Sequence, residues 1–290
     1  MAISTYHLAI LLLVFGNFTA SLSDVAVKLL NGDVPIFQYV LLRQLLSLAL
    51  IFPLWFRQKP NARKLYRLGL NLFRAHLILI GSGCMVVAIT HLPLATANAV
   101  FYAAPLLMLP LSILLLRETP SATKIAASLV GFLGVLVVLR PSEFHWAALF
   151  ALGTAITLAL FNVTARKLPA QQTVISTLFW TTLLSLPIAS VLALSVWKQL
   201  NAQELILILA SASLILAYNG VAVAAYKKAP AGNIAVAENS GLLFVTLFGV
   251  MWFNEVPDWL TIVGIVMIVV PLIPWRNLKP IKRHARVLDE

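Results

Sequence analysis

PAGNIAVAENSGLLFVTLFGVMWFNEVP, residues Pro230 to Pro257, has a counterpart 137 positions earlier in PLATANAVFYAAPLLMLPLSILLLRETP, residues Pro93 to Pro120. Without a gap, Pro230 falls on Pro93, Glu255 on Glu118 and Pro257 on Pro120. A second echo lies outside this stretch: Ser23-Asp24-Val25-Ala26-Val27-Lys28-Leu29 resembles Asn162-Val163-Thr164-Ala165-Arg166-Lys167-Leu168, 139 positions on. The chain therefore reads as one half written twice and joined near residues 141–146.

Composition says where such a chain lives. Hydrophobic residues make up 61% of the 290 and the mean hydropathy is +0.94, well above a soluble domain. A transmembrane helix needs about 20 apolar residues. Ten segments qualify: 8–30, 34–56, 69–90, 94–116, 122–139, 146–166, 173–195, 204–226, 231–253 and 257–275. The first is too long for a signal-peptide core and reads as a retained span. No linker has room for a soluble domain. The reading is an all-α polytopic membrane protein with ten transmembrane helices in two inverted five-helix repeats. The first repeat covers 1–140 and the second 146–275, with a basic tail at 276–290. Inversion follows from arithmetic: five spans are odd, so the second copy crosses in the opposite sense.

The net charge of +11 is a topology signal. With the N-terminus inside, seventeen Lys and Arg flank the spans on that side, among them Arg67 and Arg74, against Lys28, Arg140 and Lys198 opposite. Both termini are thus expected in the cytoplasm, in a multi-pass protein of the cytoplasmic membrane. The partners implied are a small-molecule substrate and the bilayer, with no role for nucleic acid. The single cysteine, Cys84, excludes a disulfide or thiolate cluster within the chain and reads as a packing residue. No cofactor or metal is expected.

Ionisable and amide groups inside apolar helices mark candidate sites, because each must find a partner or water. Glu238, beside Asn239, Ser240 and Gly241, reads as a substrate-amine or proton site, or as a carboxylate paired with Arg43. Arg43 shares a face with Tyr39 and reads first as an inter-helix clamp, with a substrate carboxylate as the alternative. Asp24 and Lys28, four apart, read as an ion pair near the membrane surface. Asn17 and Asn162 either lock helices or line a cavity. Asn98 and Tyr102 share one face, and Tyr102 stands at the repeat position of Asn239. Tyr218, Asn219 and Trp180 are further cavity candidates. Ala127, Gly131 and Gly134 form a small-residue face for close helix contact, within the subunit or across a homodimer.

Leu115-Leu116-Arg117-Glu118-Thr119-Pro120, followed by Gly131-Phe132-Leu133-Gly134-Val135-Leu136-Val137, together with Leu42-Arg43-Gln44-Leu45-Leu46 and Phe253-Asn254-Glu255-Val256-Pro257, resembles the EamA-type branch of the drug/metabolite transporter superfamily. Gln44 stands where an aromatic is common, and the glycine pattern after Pro257 is reduced to Gly264. The resemblance implies a central cavity lined by the first, third, fourth, sixth, eighth and ninth spans, with Glu118 and Glu255 as structural groups at helix ends. Its bacterial members mostly export amino acids and other metabolites, and a minority import vitamins, nucleotides or cofactor-like molecules.

The function expected is secondary transport of small polar metabolites, amino-acid-like and exported, by alternating access. Asn17, Asn98, Tyr102, Asn162, Glu238 and Asn239 would face the cavity. The alternative is import of a vitamin-, nucleotide- or cofactor-like solute that stacks on Tyr102, Tyr218 or Trp180. An enzyme is not expected. HExxH, G-x-S-x-G and P-loop motifs are missing, and the five histidines are scattered.

Overall fold

The computed structural model describes residues 5–117, 119–140, 145–169, 171–226, 228, 237 and 239–272. Among them every regular element is a helix. A bilayer requires this, because each backbone N–H and C=O must find its partner within its own segment. In chain order α1 is Thr5–Leu29, α2 Ile36–Phe56, α3 Pro60–Arg63, α4 Leu68–His91, α5 Leu94–Phe101 and α6 Ala104–Leu116. Then come α7 Ala122–Leu139, α8 Ala147–Ala165, α9 Val174–Leu194, α10 Ala202–Tyr226, α11 Ser240–Phe253 and α12 Trp259–Val269.

Eight segments are long and apolar enough to cross a membrane, α5 and α6 together making one of them. The last two expected spans, 231–253 and 257–275, are present as the shorter apolar helices α11 and α12, beside residues outside the described set. Large apolar side chains such as Leu114, Val191, Leu243 and Trp259 point outward, as lipid-facing residues do. The buried seams run through alanines 97, 99, 147, 151, 155, 159, 189 and 193, whose size lets helices approach closely.

Helix ends follow the local chemistry. Pro35 and Pro93 stand at the N-caps of α2 and α5. Thr173 and Asp258 cap α9 and α12 by accepting from Ser176 N–H at 3.1 Å and Thr261 N–H at 3.0 Å. Arg117 and Asn254 close α6 and α11 in left-handed conformations, with φ of 56° and 55°. This is a standard way to end a helix. The two residues also stand 137 positions apart, at the same place in the repeat.

In the bundle α1 packs on α10 and α11, α8 on α4 and α6, α9 on α2 and α4, α10 on α2, and α7 on α12. One end gathers Glu255, Lys198 and Arg140 and is called here the Glu255 end. There Gln38 Nε2 donates to Lys198 O (2.8 Å), and Lys198 Nζ pairs with Glu204 (2.7 Å). At the opposite, Arg67 end, Arg67 donates to Lys167 O (2.8 Å) and Gln172 Nε2 donates to Asn71 Oδ1 (2.9 Å).

The bundle bears on three of the sequence readings. Arg74 is no flanking charge: it lies within α4 at 2% exposure. It donates to the Phe161 carbonyl and to Thr164 Oγ1, with its guanidinium 3.8 Å from the Phe161 ring centroid. It therefore meets the negative end of α8. The glycine face of α7 is spent inside the subunit. A Cβ on Gly131 would collide with Leu106, and one on Gly134 would sit 2.8 Å from Gly264 O. Trp180 serves the Arg67 end, where its Nε1 donates to Arg63 O (2.9 Å) beside the stacked Trp55 and Phe179 rings.

Candidate functional site

Asn17, Ser21, Asp24 and Lys28 are spaced four, three and four apart, so they form one stripe along α1. Asn17 is 2% exposed. Its Nδ2 donates to Ala237 O at 2.9 Å and to Ser240 Oγ at 3.1 Å, at the beginning of α11. One turn on, Ser21 Oγ donates to Gly241 O at 3.2 Å and back to Asn17 O at 2.8 Å. Lys28 pairs with Glu255, donates to Leu92 O at 2.6 Å and lies 5.3 Å from the Phe253 ring centroid. Glu255 in turn accepts from the Leu94 N–H at 2.7 Å, at the first residue of α5. The expected Asp24–Lys28 pair is thus replaced by Lys28–Glu255, because Glu255 comes to Lys28 from another helix.

The facing wall is a broken helix. Tyr102 and Ala103 form a turn between α5 and α6, and Pro105 stands in the first turn of α6. Tyr102 N–H still bonds Asn98 O (2.9 Å) and Ala103 N–H bonds Val100 O (3.0 Å). Helix α11 starts the same way, at Ser240 after a turn residue at Asn239. Asn239 and Tyr102 are repeat equivalents, so a turn residue stands at the same repeat position in both halves. The α5–α6 break meets the start of α11: the Tyr102 hydroxyl occupies the space that a Cβ on Gly241 would take, with Cζ 3.2 Å from that point. Only glycine admits the ring.

Asp24 of the stripe and Arg43 of α2 have no ion pair among the described residues. Asp24 is half-buried. Asn98 is buried and donates to Leu94 O (3.2 Å). Arg43, half-buried on α2, makes no hydrogen bond or ion pair among the described residues. The inter-helix bond expected of it as a clamp is not seen among the described residues. The clamp is Tyr39, fully buried, whose hydroxyl meets Ser211 Oγ at 2.8 Å while Ser23 donates to Ser211 O at 2.9 Å.

Of the other expected site residues, Tyr218 is half-buried on α10, with Cδ2 3.2 Å from where a Gly16 Cβ would be, one residue from Asn17. Asn162 is exposed, although its spacing puts it on the α8 face of buried Ala151 and Ala155. Asn219 is exposed as well. Glu238 and Glu118 lie outside the described residues. Cys84 packs on Gly153, its Sγ 3.1 Å from the Cβ position there. Sequence reasoning missed Ser21 and the Lys28–Glu255 pairing. The spacing from Asn17 to Lys28 held the first signal, and nothing local held the second.

A cavity of about 450 Å³ opens at the Glu255 end, lined by Thr96, Arg140, His145, Asn254, Glu255 and Asp258 among others. Arg140 and Asp258 pair across it. It stands at the end of the seam, away from the Asn17–Tyr102–Gly241 meeting point. No group of His, Cys, Asp and Glu able to hold a metal occurs among the described residues.

The model of the EamA-like transporter family matches residues 7–140 and again 145–273. The chain belongs to the EamA-like transporter family. It is a multi-pass membrane protein and a small-molecule transporter of the drug/metabolite transporter superfamily, not an enzyme. It is 26% identical over 92% of each chain to a protein of Rickettsia prowazekii named S-adenosylmethionine uptake transporter. It is 28% identical to the pseudopaline exporter CntI of Pseudomonas aeruginosa, over 96% of this chain and 99% of that one. A riboflavin transporter of Vibrio cholerae is 29% identical over 73% of each chain. A solved crystal structure at 18% identity superposes with a TM-score of 0.60 over 93% of this EamA-family chain and 98% of its own. That likeness concerns the fold alone.

Proposed function

We propose that the protein is a secondary transporter exporting small, polar, amino-acid-like metabolites by alternating access between two inverted five-helix halves. The observation that carries this reading is that the helix interruption at Tyr102–Ala103 meets the start of α11 at its repeat equivalent, Asn239–Gly241, beside Asn17. Interrupted helices at the meeting of repeats are where carriers of this architecture bind solute. The packing supports the inverted repeat as well. Exchanging the halves turns α1 on α10 into α8 on α4, α1 on α11 into α8 on α6, and α9 on α4 into α2 on α10, all of which occur. The family model's two matches divide the chain at the same place.

In this reading Asn17, Asn98, Tyr102 and Asn239 surround the solute. Glu238, next to the Ala237 carbonyl that Asn17 holds, exchanges the coupling proton. With Arg74 set aside, sixteen Lys and Arg against three support both termini in the cytoplasm and the Glu255 end outside.

A second reading, import, is favoured by the Rickettsia relative named as an uptake transporter. Proteoliposomes loaded with a panel of labelled amino acids, nucleosides and vitamins separate the two. Saturable counterflow is expected from a carrier, and a flux that never saturates would dismiss one. Accumulation against a gradient under an imposed proton gradient gives the direction. Glu238→Gln should abolish that accumulation and leave exchange intact; an unchanged response to the proton gradient would remove Glu238 from coupling. Reporter fusions after residues 65 and 290 should both read cytoplasm, and one after residue 199 the outside.

A further inference from the structure

We infer that the connector between α2 and α4 is a docking surface for an anionic phospholipid, with Arg63 receiving the phosphodiester and Phe52 and Phe56 an acyl chain. Neither the cargo nor the direction of transport enters.

Residues 57–67 carry five cations: Arg57, Lys59, Arg63, Lys64 and Arg67. None has an ion pair among the described residues. The described acids, Asp24, Asp33, Glu204, Glu255 and Asp258, all lie toward the Glu255 end. Orientation in the membrane explains the number of cations, but it makes no demand on the shape of the connector. That shape is fixed from the start of α9. Gln58 Oε1 accepts from Thr173 Oγ1 at 2.9 Å, Ser176 Oγ donates to Ala62 O, and Trp180 Nε1 donates to Arg63 O at 2.9 Å. Neutral hydrogen bonds hold the backbone and spend none of the charged side chains.

Arg63 is half-buried, its guanidinium 5.3 Å from the Phe56 ring centroid and 5.9 Å from that of Trp55. Contact with a ring face uses none of its N–H donors, and these meet no acceptor among the described residues. Phe56 is 60% exposed. Phe52 stacks on it at 5.8 Å, is exposed as well, and reaches the Phe179 ring of α9 at 6.3 Å. An apolar wall on the outside of the bundle thus ends in a guanidinium where α2 stops. A phospholipid has the same order, chain and then phosphate. The planar fork of Arg suits a phosphate, and exposed Lys59 and Lys64 add attraction for an anionic headgroup. A choline headgroup brings its own cation, which these charges repel, so the surface discriminates between lipids.

The test uses the purified, delipidated full-length protein in detergent. The probes are phosphatidylglycerol and phosphatidylcholine of matched chains, with bound lipid counted by native mass spectrometry and thermal stabilisation followed in parallel. Phosphatidylglycerol should bind about fivefold tighter or more, the scale of one basic residue at an anionic surface. Arg63→Gln and Lys59→Gln should each weaken it by about fivefold and leave phosphatidylcholine unchanged. Lys124→Gln, the same loss of charge at the exposed start of α7, should leave both lipids unchanged. Equal binding of the two lipids by the wild type would overturn the assignment. So would a loss in Lys124→Gln as large as in Lys59→Gln, which is what undirected surface charge gives. Stabilisation by glycerol phosphate equal to that by phosphatidylglycerol would make the occupant a soluble anion and overturn the lipid. If Arg63→Gln fails to fold, Lys59→Gln against its Lys124→Gln control decides.

Discussion

Glu255 joins three helices through one carboxylate. It follows the end of α11, one oxygen accepts the Leu94 N–H of α5 at 2.7 Å, and the other meets Lys28 of α1. The side chains of Lys28 and Glu255 keep 10% and 19% of their exposure, so the pair is largely withdrawn from solvent and removing one partner strands the other. Glu255→Ala leaves both Lys28 and the Leu94 N–H unmet and should cost about 2–4 kcal/mol. Glu255→Gln retains an acceptor for Leu94 and loses only the charge, so its melting temperature in detergent should fall between wild type and alanine. Equal melting of the two variants would mean that the ion pair, and not the Leu94 hydrogen bond, is all that Glu255 contributes.

At the scale of elements the controlling feature is the contact between the α5–α6 break and the start of α11. A methyl group on Gly241 would occupy the place of the Tyr102 hydroxyl, and overpacking of this kind costs ~1–3 kcal/mol. Gly241→Ala should therefore lower both the melting temperature and counterflow. Tyr102→Phe removes the oxygen in the way and leaves Cζ 3.2 Å from the new methyl, a distance a small ring shift relieves. The double variant should regain most of the stability lost by Gly241→Ala. If it melts no higher than Gly241→Ala alone, the Tyr102 hydroxyl is not what the glycine accommodates.

For the whole molecule, α7 and α12 cross where Gly134 and Gly264 bring their backbones together. Neither helix carries a residue of the α1 stripe or of the Tyr102–Ala103 break. Gly134→Val should push the helices apart and cost ~1–3 kcal/mol or more, read as a lower melting temperature and yield. The KM for exchange should stay near the wild-type value, since the site lies between other helices. A changed KM with unchanged stability would tie the α7–α12 pair to the transport cycle.

The repeat, the apolar helices and the polarity of the site were legible in residue order, because each is written at a fixed spacing. Pro93 and Pro230 with Glu118 and Glu255 marked the repeat, runs of about 20 apolar residues marked the helices, and Asn17, Asn98 and Tyr102 stood out as polar groups in apolar surroundings. The interruption at Tyr102 was less plain: Pro105 hinted at it, but the span as a whole reads as one apolar run. Partners across the fold were decided only by tertiary structure. Asp24 and Lys28 are four residues apart on one helix and invite pairing. Lys28 instead finds Glu255, 227 positions away, and Asp24 is left with no ion pair among the described residues. Gly131 and Gly134 showed that something must come close, and the bundle supplied Leu106 and Gly264. Sequence periodicity determines which face of a helix is polar or small. What stands opposite that face depends on how the helices assemble, since each contact joins segments whose separation along the chain carries no spacing to read.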